Sequence, residues 1–336
     1  MYDTTLIGLG SIASKYSTDK KMLKNLNYFT HAQVLNKHQK FNWVSAVDPS
    51  KEAREYASKT WGIREIANSV DELIDKDRYE VLVLATPPEN RLEVIKHFPS
   101  LKAVVVEKPL GVSYLSSVEF IEECEKRDIK VQVNLTRRSD EVMRSLASGE
   151  LSKKIGNTQF VFGSYGRGLH NYGTHLIDLV RMLIGEIAFV SSLSNHKKQD
   201  LGPIKNDLNL SFLMKTLDGI QIIMQPLDFS AYREGSIDIW GEKGRLEIIQ
   251  EGLKYIESPI NSCRSLEGAL EIASDKRVFQ DTGYSDALLH LYTNLSNSIS
   301  SDIELHSSGR SALKTEKIIE SLFCSYKENG KEISCL

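Results

Sequence analysis

Apolar and polar positions follow two different rhythms along this chain. Up to about residue 135, short apolar runs alternate with amphipathic stretches. Residues 4–9 form an apolar run that ends in a glycine-rich loop, the pattern of a buried parallel strand. Residues 42–48 predict a second strand, residues 81–86 a third, residues 103–107 a fourth and residues 129–135 a fifth. Prolines stop the third at Pro87-Pro88 and the fourth at Pro109. Helical patches open at 70–73 and run over about 89–97 and 116–127. Strand alternating with helix at this spacing predicts a parallel, doubly wound sheet.

Beyond about residue 150 the runs become longer and β-like, at 158–165, 189–195, 209–217, 220–227, 236–240 and 245–249. Asp218-Gly219 joins two of them as a hairpin turn, and Glu242-Lys243-Gly244 joins two more. The second half therefore predicts an open, mostly antiparallel sheet with helices on one face. A last helix over about 311–329 carries apolar residues at helical spacing and is expected to pack back on the first half. With 336 residues, against about 100–200 for a usual domain, the chain is an α/β protein of two domains, 1–135 and 136–336.

Bulk properties narrow the function by exclusion. A net charge of -3 leaves no basic footprint for nucleic acid and no polybasic patch for a membrane. No apolar run approaches the roughly 20 residues that span a bilayer. A strand that begins almost at Met1 leaves no room for a cleaved signal, so the expected compartment is the cytoplasm. Cys124, Cys263, Cys324 and Cys335 show no CxxC spacing and are expected to be reduced thiols.

The candidate chemistry begins with Gly8-Leu9-Gly10-Ser11-Ile12-Ala13. Glycines after a strand let the backbone approach a pyrophosphate, and the N–H groups opening a following helix can bind it. Gly8, Gly10, Ser11 and Ile12 are thus candidate cofactor contacts; the plainer alternative is a tight turn that binds nothing. Asp48 ends the second strand, where a carboxylate can accept both hydroxyls of an adenosine ribose. It would also repel a 2′-phosphate, which favours NAD over NADP. It lies 38 residues beyond Gly10, against about 20 in the usual spacing. The surplus is a polar insertion at 15–29, which could lie over the cofactor but reads more plainly as a solvated loop. Thr86 and Pro87 end the third strand, at the edge where ligands sit in such sheets.

Glu107-Lys108-Pro109 places a charged pair directly after an apolar run, at the mouth of the same cleft. A lysine there can hydrogen-bond a substrate oxygen and stabilise charge as a C–O bond changes order; a solvated surface lysine is the alternative. Gly168-Leu169-His170-Asn171-Tyr172-Gly173-Thr174-His175 leads into a helix whose apolar stripe, Leu176, Leu179, Val180 and Leu183, would anchor it. Asn171 stands one turn before His175, so both share a face. His170 and His175 are five apart, the wrong helical spacing for one ion, and no third ligand is apparent, so no metal is expected. Arg137, Arg138, Tyr165, Arg167 and His170 are candidates for binding hydroxyls or a phosphate of a substrate, or equally for ordinary structural pairing. A glycine loop, a lysine and a histidine in this order read as a nicotinamide-dependent oxidoreductase.

Taken together these residues resemble the Gfo/Idh/MocA family, the glucose-fructose oxidoreductase and inositol dehydrogenase group. The resemblance runs through Gly8-Leu9-Gly10-Ser11-Ile12-Ala13, Ala46-Val47-Asp48-Pro49, Ala85-Thr86-Pro87-Pro88 and Val106-Glu107-Lys108-Pro109-Leu110. It continues with Thr136-Arg137-Arg138, Gly173-Thr174-His175-Leu176-Ile177-Asp178-Leu179 and Ile239-Trp240-Gly241-Glu242-Lys243-Gly244-Arg245-Leu246. It implies an NAD-binding Rossmann domain followed by a substrate domain whose open sheet often forms homo-dimer or homo-tetramer contacts. It also implies that Lys108 and His175 are catalytic, on a small carbohydrate-type substrate. Two departures stand out. The family position four before the histidine is usually aspartate and here is Asn171, which can orient a hydroxyl but not carry a proton at pH 7. A histidine is common after the Thr-Pro, where this chain has Glu89-Asn90-Arg91. Residues 165–171 look like a branch associated with bacterial surface-sugar pathways. The expected activity is hydride transfer between nicotinamide C4 and a secondary hydroxyl or ketone of a sugar, nucleotide sugar or cyclitol. Asn171 keeps a nucleotide-binding regulator or assembly subunit as an alternative, and a redox-neutral epimerase or eliminase with bound NAD begins with the same hydride step.

Overall fold

The strands Val81–Leu84 and Ala103–Val106 are apolar and buried at every position, which requires a sheet covered on both faces. The computed structural model describes residues 1–20, 22–195, 202–261 and 268–336; Cys263 falls outside them, and Cys124, Cys324 and Cys335 are free thiols. The chain divides into two units, Met1–Ser139 with Ser285–Leu313 and Asp140–Tyr284 with Lys314–Leu336.

The first unit runs β1 (Tyr2–Ile7), α1 (His31–Lys37), β2 (Phe41–Val47), α2 (Lys51–Trp61), β3 (Glu65–Ala67), β4 (Val81–Leu84), α3 (Arg91–Lys96), β5 (Ala103–Val106), α4 (Tyr114–Lys126) and β6 (Lys130–Val133). All six strands are parallel, in the order β3-β2-β1-β4-β5-β6. Alternation along β4 and β5 sorts side chains to opposite faces. Val81, Val83, Ala103 and Val105 meet Val34 and Leu35 of α1 and Ala53 and Ala57 of α2. Leu82, Leu84, Val104 and Val106 meet Ile95 of α3 and Phe120, Ile121 and Cys124 of α4.

A helix from far later in the chain, Ala287–Ser301, completes the first of these faces with Leu288, Leu291, Tyr292 and Leu295. The division at residue 135 expected from the sequence therefore gains a returning segment. It is not the last helix that was expected to return: from Lys314 on, that helix belongs to the second unit, whose core takes Ile319 and Leu322, because an apolar stripe marks a buried face without naming which core receives it. The insertion at 15–29 is also tied in: the Asn27 N–H donates to Ser285 O at 3.1 Å, and its side-chain amide donates to Asp286 Oδ2 at 3.0 Å.

The second unit begins with α5 (Glu141–Ser145) and α6 (Leu151–Ile155), then β7 (Thr158–Tyr165) and α7 (Thr174–Leu183). Strands β8 (Ile187–Asn195), β9 (Leu210–Thr216), β10 (Gln221–Pro226), β11 (Ser236–Gly241), β12 (Gly244–Ile249), β13 (Lys254–Asn261), β14 (Glu271–Ile272) and β15 (Val278–Asp281) follow. The segment Ala287–Ser301 is α8, and α9 (Gly309–Lys327) and β16 (Ile333–Ser334) close the chain. Among the described residues the sheet has ten strands, in the order β14-β13-β12-β11-β7-β10-β9-β8-β16 with β15 on β13. Only the β7–β10 pair is parallel. Both expected hairpins are present, β9–β10 and β11–β12. One face buries Val161, Phe212, Met224, Ile239 and Leu246 against Leu176 and Val180 of α7 and Ile319 and Leu322 of α9; Phe162 and Trp240 stand exposed on the other. No helix among the described residues is long and apolar enough to cross a membrane.

Leu291 tests the placement of α8. It is fully buried in the first unit's core, so Leu291→Ala should cost about 2–5 kcal/mol, measured as a lower denaturation midpoint.

Candidate active site

The carboxyl edge of the parallel sheet gathers the residues singled out for the cofactor. Gly8 leaves β1 with φ +90°, and a Cβ there would stand 2.7 Å from Ala85 O, so the fold itself demands glycine. Gly10 is different: a Cβ would meet no heavy atom within 4 Å. Nothing in the protein requires that glycine, and close approach of a ligand would. Asp48 Oδ2 accepts the Leu9 N–H at 2.6 Å, and its Oδ1 accepts the Ser50 N–H at 2.8 Å. The carboxylate thus sits over the glycine loop, close to where a ribose would follow a pyrophosphate. Ser11 and Ile12 continue the loop as turns rather than as the expected helix. The helix comes later, as α1, and returns to the loop through His31 N–H to Ile12 O at 3.3 Å and Ala32 N–H to Ala13 O at 2.9 Å.

At the end of β5, Glu107 and Lys108 are half-buried and the Lys108–Pro109 peptide is cis. Glu107 Oε1 accepts His31 Nε2–H at 2.9 Å and the Asn134 amide at 2.5 Å. Burial opposes ionisation of this carboxyl, yet the bonds from His31 and Asn134 with the charge of Lys108 hold it below the usual glutamate range. His31 Nδ1 shares a 2.7 Å hydrogen bond with the Tyr292 hydroxyl of α8, whose phenol burial pushes well above its ordinary range. A carboxylate accepts only, so the network is polarised toward Glu107. Thr86 and Pro87 end β4 next door, and Arg91, buried at the start of α3, donates to the carbonyls of both Thr86 and Glu107.

In the second unit, residues Leu169–Gly173 form a wide π-type turn that runs straight into α7, a feature frequent at functional positions. Gly173 N–H reaches back to Gly168 O at 3.0 Å. The turn is seated on Asp207: its Oδ1 accepts the His170 N–H and its Oδ2 the Asn171 N–H, each at 3.0 Å. Gly168 has φ +93°, and a Cβ there would fall 2.0 Å from Asp207 Oδ2. Burial pushes the Asp207 carboxyl up while these N–H bonds oppose it. His175 follows in the first turn of α7, half-buried, with Tyr172 edge-on at 6.1 Å between ring centroids. The His170 ring stacks on Phe323 of α9 at 5.1 Å.

The remaining sequence candidates separate. Arg137 is buried and Arg138 half-buried in the turn after β6. Arg167 is half-buried at φ +58° just before the π-turn. Tyr165 departs from expectation. Its ring is fully buried, and its hydroxyl both donates to Leu210 O and accepts Leu210 N–H. A run ending in an aromatic before a polar loop gave no sign that the ring points inward.

Residues 5–135 match the oxidoreductase family with an NAD-binding Rossmann fold, GFO/IDH/MocA, and residues 157–247 match the C-terminal domain of the same family. The chain belongs to the GFO/IDH/MocA oxidoreductase family. It is 24% identical over 189 residues to the scyllo-inositol 2-dehydrogenase (NAD(+)) of Bacillus subtilis (strain 168). That match covers 52% of this chain and 55% of the relative, so it spans about half the length of each. The WlbA dehydrogenase from Bordetella pertussis, solved with NADH and UDP-GlcNAcA, superposes with a TM-score of 0.73 at 18% identity, over 99% of this chain and 98% of that one. Levoglucosan dehydrogenase, solved with NADH and levoglucosan, gives 0.75 at 15%, over 99% of both chains. At such identities the likeness is one of fold.

NAD fits what a GFO/IDH/MocA chain offers here: a glycine loop with open space at Gly10 and an acidic residue at the end of β2. Sequence reasoning passed over His31, Arg91, Asn134, Tyr292 and Asp207. Arg91 alone had a signal, as part of Glu89-Asn90-Arg91, the segment where the family commonly has a histidine. No described group of three or more His, Cys, Asp or Glu is placed to hold a metal.

The two glycines should respond differently to alanine. Gly8→Ala should destabilise the protein by about 1–3 kcal/mol, the cost of holding a side chain at that φ. Gly10→Ala should stay within about 0.5 kcal/mol of wild type but weaken NADH binding; thermal unfolding with and without NADH checks both. His31→Leu should cost about 1–3 kcal/mol at neutral pH. Because the Glu107 pKa is depressed on folding, its contribution is present above the ordinary glutamate range and lost as pH falls through the lower folded value. Removing His31 should therefore shift the onset of acid unfolding to higher pH.

Proposed function

We propose that the chain is an NAD(H)-dependent dehydrogenase or ketoreductase acting on a secondary hydroxyl or ketone of a sugar, nucleotide sugar or cyclitol. The observation that carries this is the carboxyl edge of the first unit. There the open loop at Gly10, Asp48 over that loop, and Lys108 beside a fixed carboxylate follow β1, β2 and β5 at the same edge of the sheet. Family membership supports the same reading, as do relatives named for scyllo-inositol and levoglucosan and one solved with a nucleotide sugar.

Gly8, Gly10, Ser11, Ile12, Asp48, Thr86, Pro87 and Glu107 would hold the dinucleotide. When bound, nicotinamide supplies a hydride acceptor or donor at C4. Lys108 holds the substrate oxygen through its ammonium and stabilises charge there as the C–O bond order changes. His175 takes the hydroxyl proton on an imidazole nitrogen during oxidation and returns it during reduction. Asn171 orients the same hydroxyl through its amide. Arg137, Arg138, Arg167 and His170 contribute substrate contacts; Tyr165, tied to the Leu210 backbone, does not. The exposed outer sheet face with Phe162 and Trp240 suits a self-complementary contact, so a homo-dimer or homo-tetramer is the proposed working state.

NADH and NADPH are compared first, by thermal unfolding. A ligand that binds only the folded state adds about 2.7 kcal/mol at one hundred times its dissociation constant, and the shift should be larger with NADH. Inositols, free sugars and nucleotide sugars are then screened with NAD⁺ by absorbance of the reduced cofactor. Lys108→Ala and His175→Ala should each lose about 10²–10⁴-fold in turnover while still binding NADH. A folded variant that keeps full turnover would remove that residue from the mechanism.

A further inference from the structure

Arg91 is the first residue of α3, in the segment where this chain departs from the family's common histidine. Only 2% of it is exposed, so its charge has left water and depends on hydrogen bonds for compensation. One terminal nitrogen donates to three carbonyls after β5: Glu107 O at 2.6 Å, Pro109 O at 2.5 Å and Leu110 O at 3.3 Å. The other donates to Thr86 O, after β4, at 2.5 Å. The carbonyls at 107 and 109 lie on either side of Lys108. The Thr86 end of the clamp is tied in turn to the end of β1, where Ala85 N–H donates to Ile7 O at 2.9 Å and Gly8 lies so close that a Cβ on it would stand 2.7 Å from Ala85 O. Three strand-end loops, at 8–10, 85–87 and 107–110, thus form one connected block.

Only a planar fork can do this. Guanidinium carries five N–H donors in fixed directions. An imidazole offers at most two N–H donors for these four carbonyls, and an ammonium is a single point. We propose that Arg91 is a positioning residue that presets Lys108 relative to the glycine loop, so that the dinucleotide meets the lysine without rearrangement of either loop. This rests on the cofactor and lysine roles proposed above. It adds that the departure in the segment 89–91 is functional and not neutral.

The test compares wild type with Arg91→Lys and Arg91→His. Thermal unfolding is followed without ligand, and NADH is titrated calorimetrically. Both variants should unfold at lower temperature, and both should bind NADH about tenfold more weakly, the scale of one well-placed hydrogen-bonding group. A folded variant with a lowered unfolding temperature but NADH affinity within about twofold of wild type would make Arg91 merely structural and overturn the proposal. Should neither variant fold, amide hydrogen exchange on cofactor-free wild type decides. Residues 108, 110 and 111 should then exchange nearly as slowly as β5, and exchange at open-loop rates would overturn the clamp. Wild type that fails to bind NADH would defeat the cofactor reading instead, and the exchange rates would still judge Arg91.

Discussion

The buried carboxylate of Glu107 organises the end of the parallel sheet. An ionised group withdrawn from water is tolerable only when its oxygens are hydrogen-bonded or paired. Here the compensation comes from His31 at the start of α1 and Asn134 just past β6, with Tyr292 of α8 bonded behind the histidine. Each of these groups fixes a different element. Thr30 and Gln33 form a capping box that sets the first turn of α1, which places His31. Ala32 and His31 bond back to the glycine loop, so the requirement to satisfy one carboxylate constrains the loop as well. Lys108 stands next to that carboxylate, and its charge helps keep it ionised.

Much of this architecture was legible because it is local. Parallel strands buried on both faces must be continuously apolar, and 81–84 and 103–106 are. Hairpins need a turn between two β-type runs, and Asp218-Gly219 and Glu242-Lys243 supply them. Lys108 and His175 stood out as candidates because one follows a buried strand directly and the other opens a helix with a clear apolar stripe. The network that holds Glu107 beside Lys108 was not. His31 and Glu107 are 76 residues apart and His31 and Tyr292 are 261 apart, and no periodicity links them. Strands β13 to β15 were missed for another reason: β13 mixes Glu257 and Pro259 into its run, and β14 and β15 are too short to show alternation.

Where local reasoning met tertiary override, the polar groups account for it. The helix expected directly after Gly10 is displaced to residue 31 because the chain first makes two 3₁₀ turns, Lys15–Thr18 and Met22–Lys24. Asn27 then anchors the insertion on the start of α8. Tyr165 is a candidate from the sequence either for substrate binding or for ordinary structural pairing. Strand parity instead turns it to the core, and the backbone of Leu210 satisfies the hydroxyl that would otherwise be stranded there.

The same rule of satisfied polar groups bears on the asparagine that replaces the family's aspartate. The N–H groups of His170 and Asn171 are among those a helical start leaves without internal partners, and Asp207, from a segment 36 residues beyond Asn171, takes both. That arrangement places a buried carboxylate 3.0 Å from the backbone nitrogen of residue 171. An aspartate at 171 would add a second negative charge beside the first. Two carboxylates sharing one low-dielectric site cannot both ionise easily. A neutral amide avoids the repulsion. Asp207 holds the backbone of this turn, one turn ahead of His175, through both of its oxygens. Asn171 is then the side chain that adds no further charge to a turn already seated on a carboxylate.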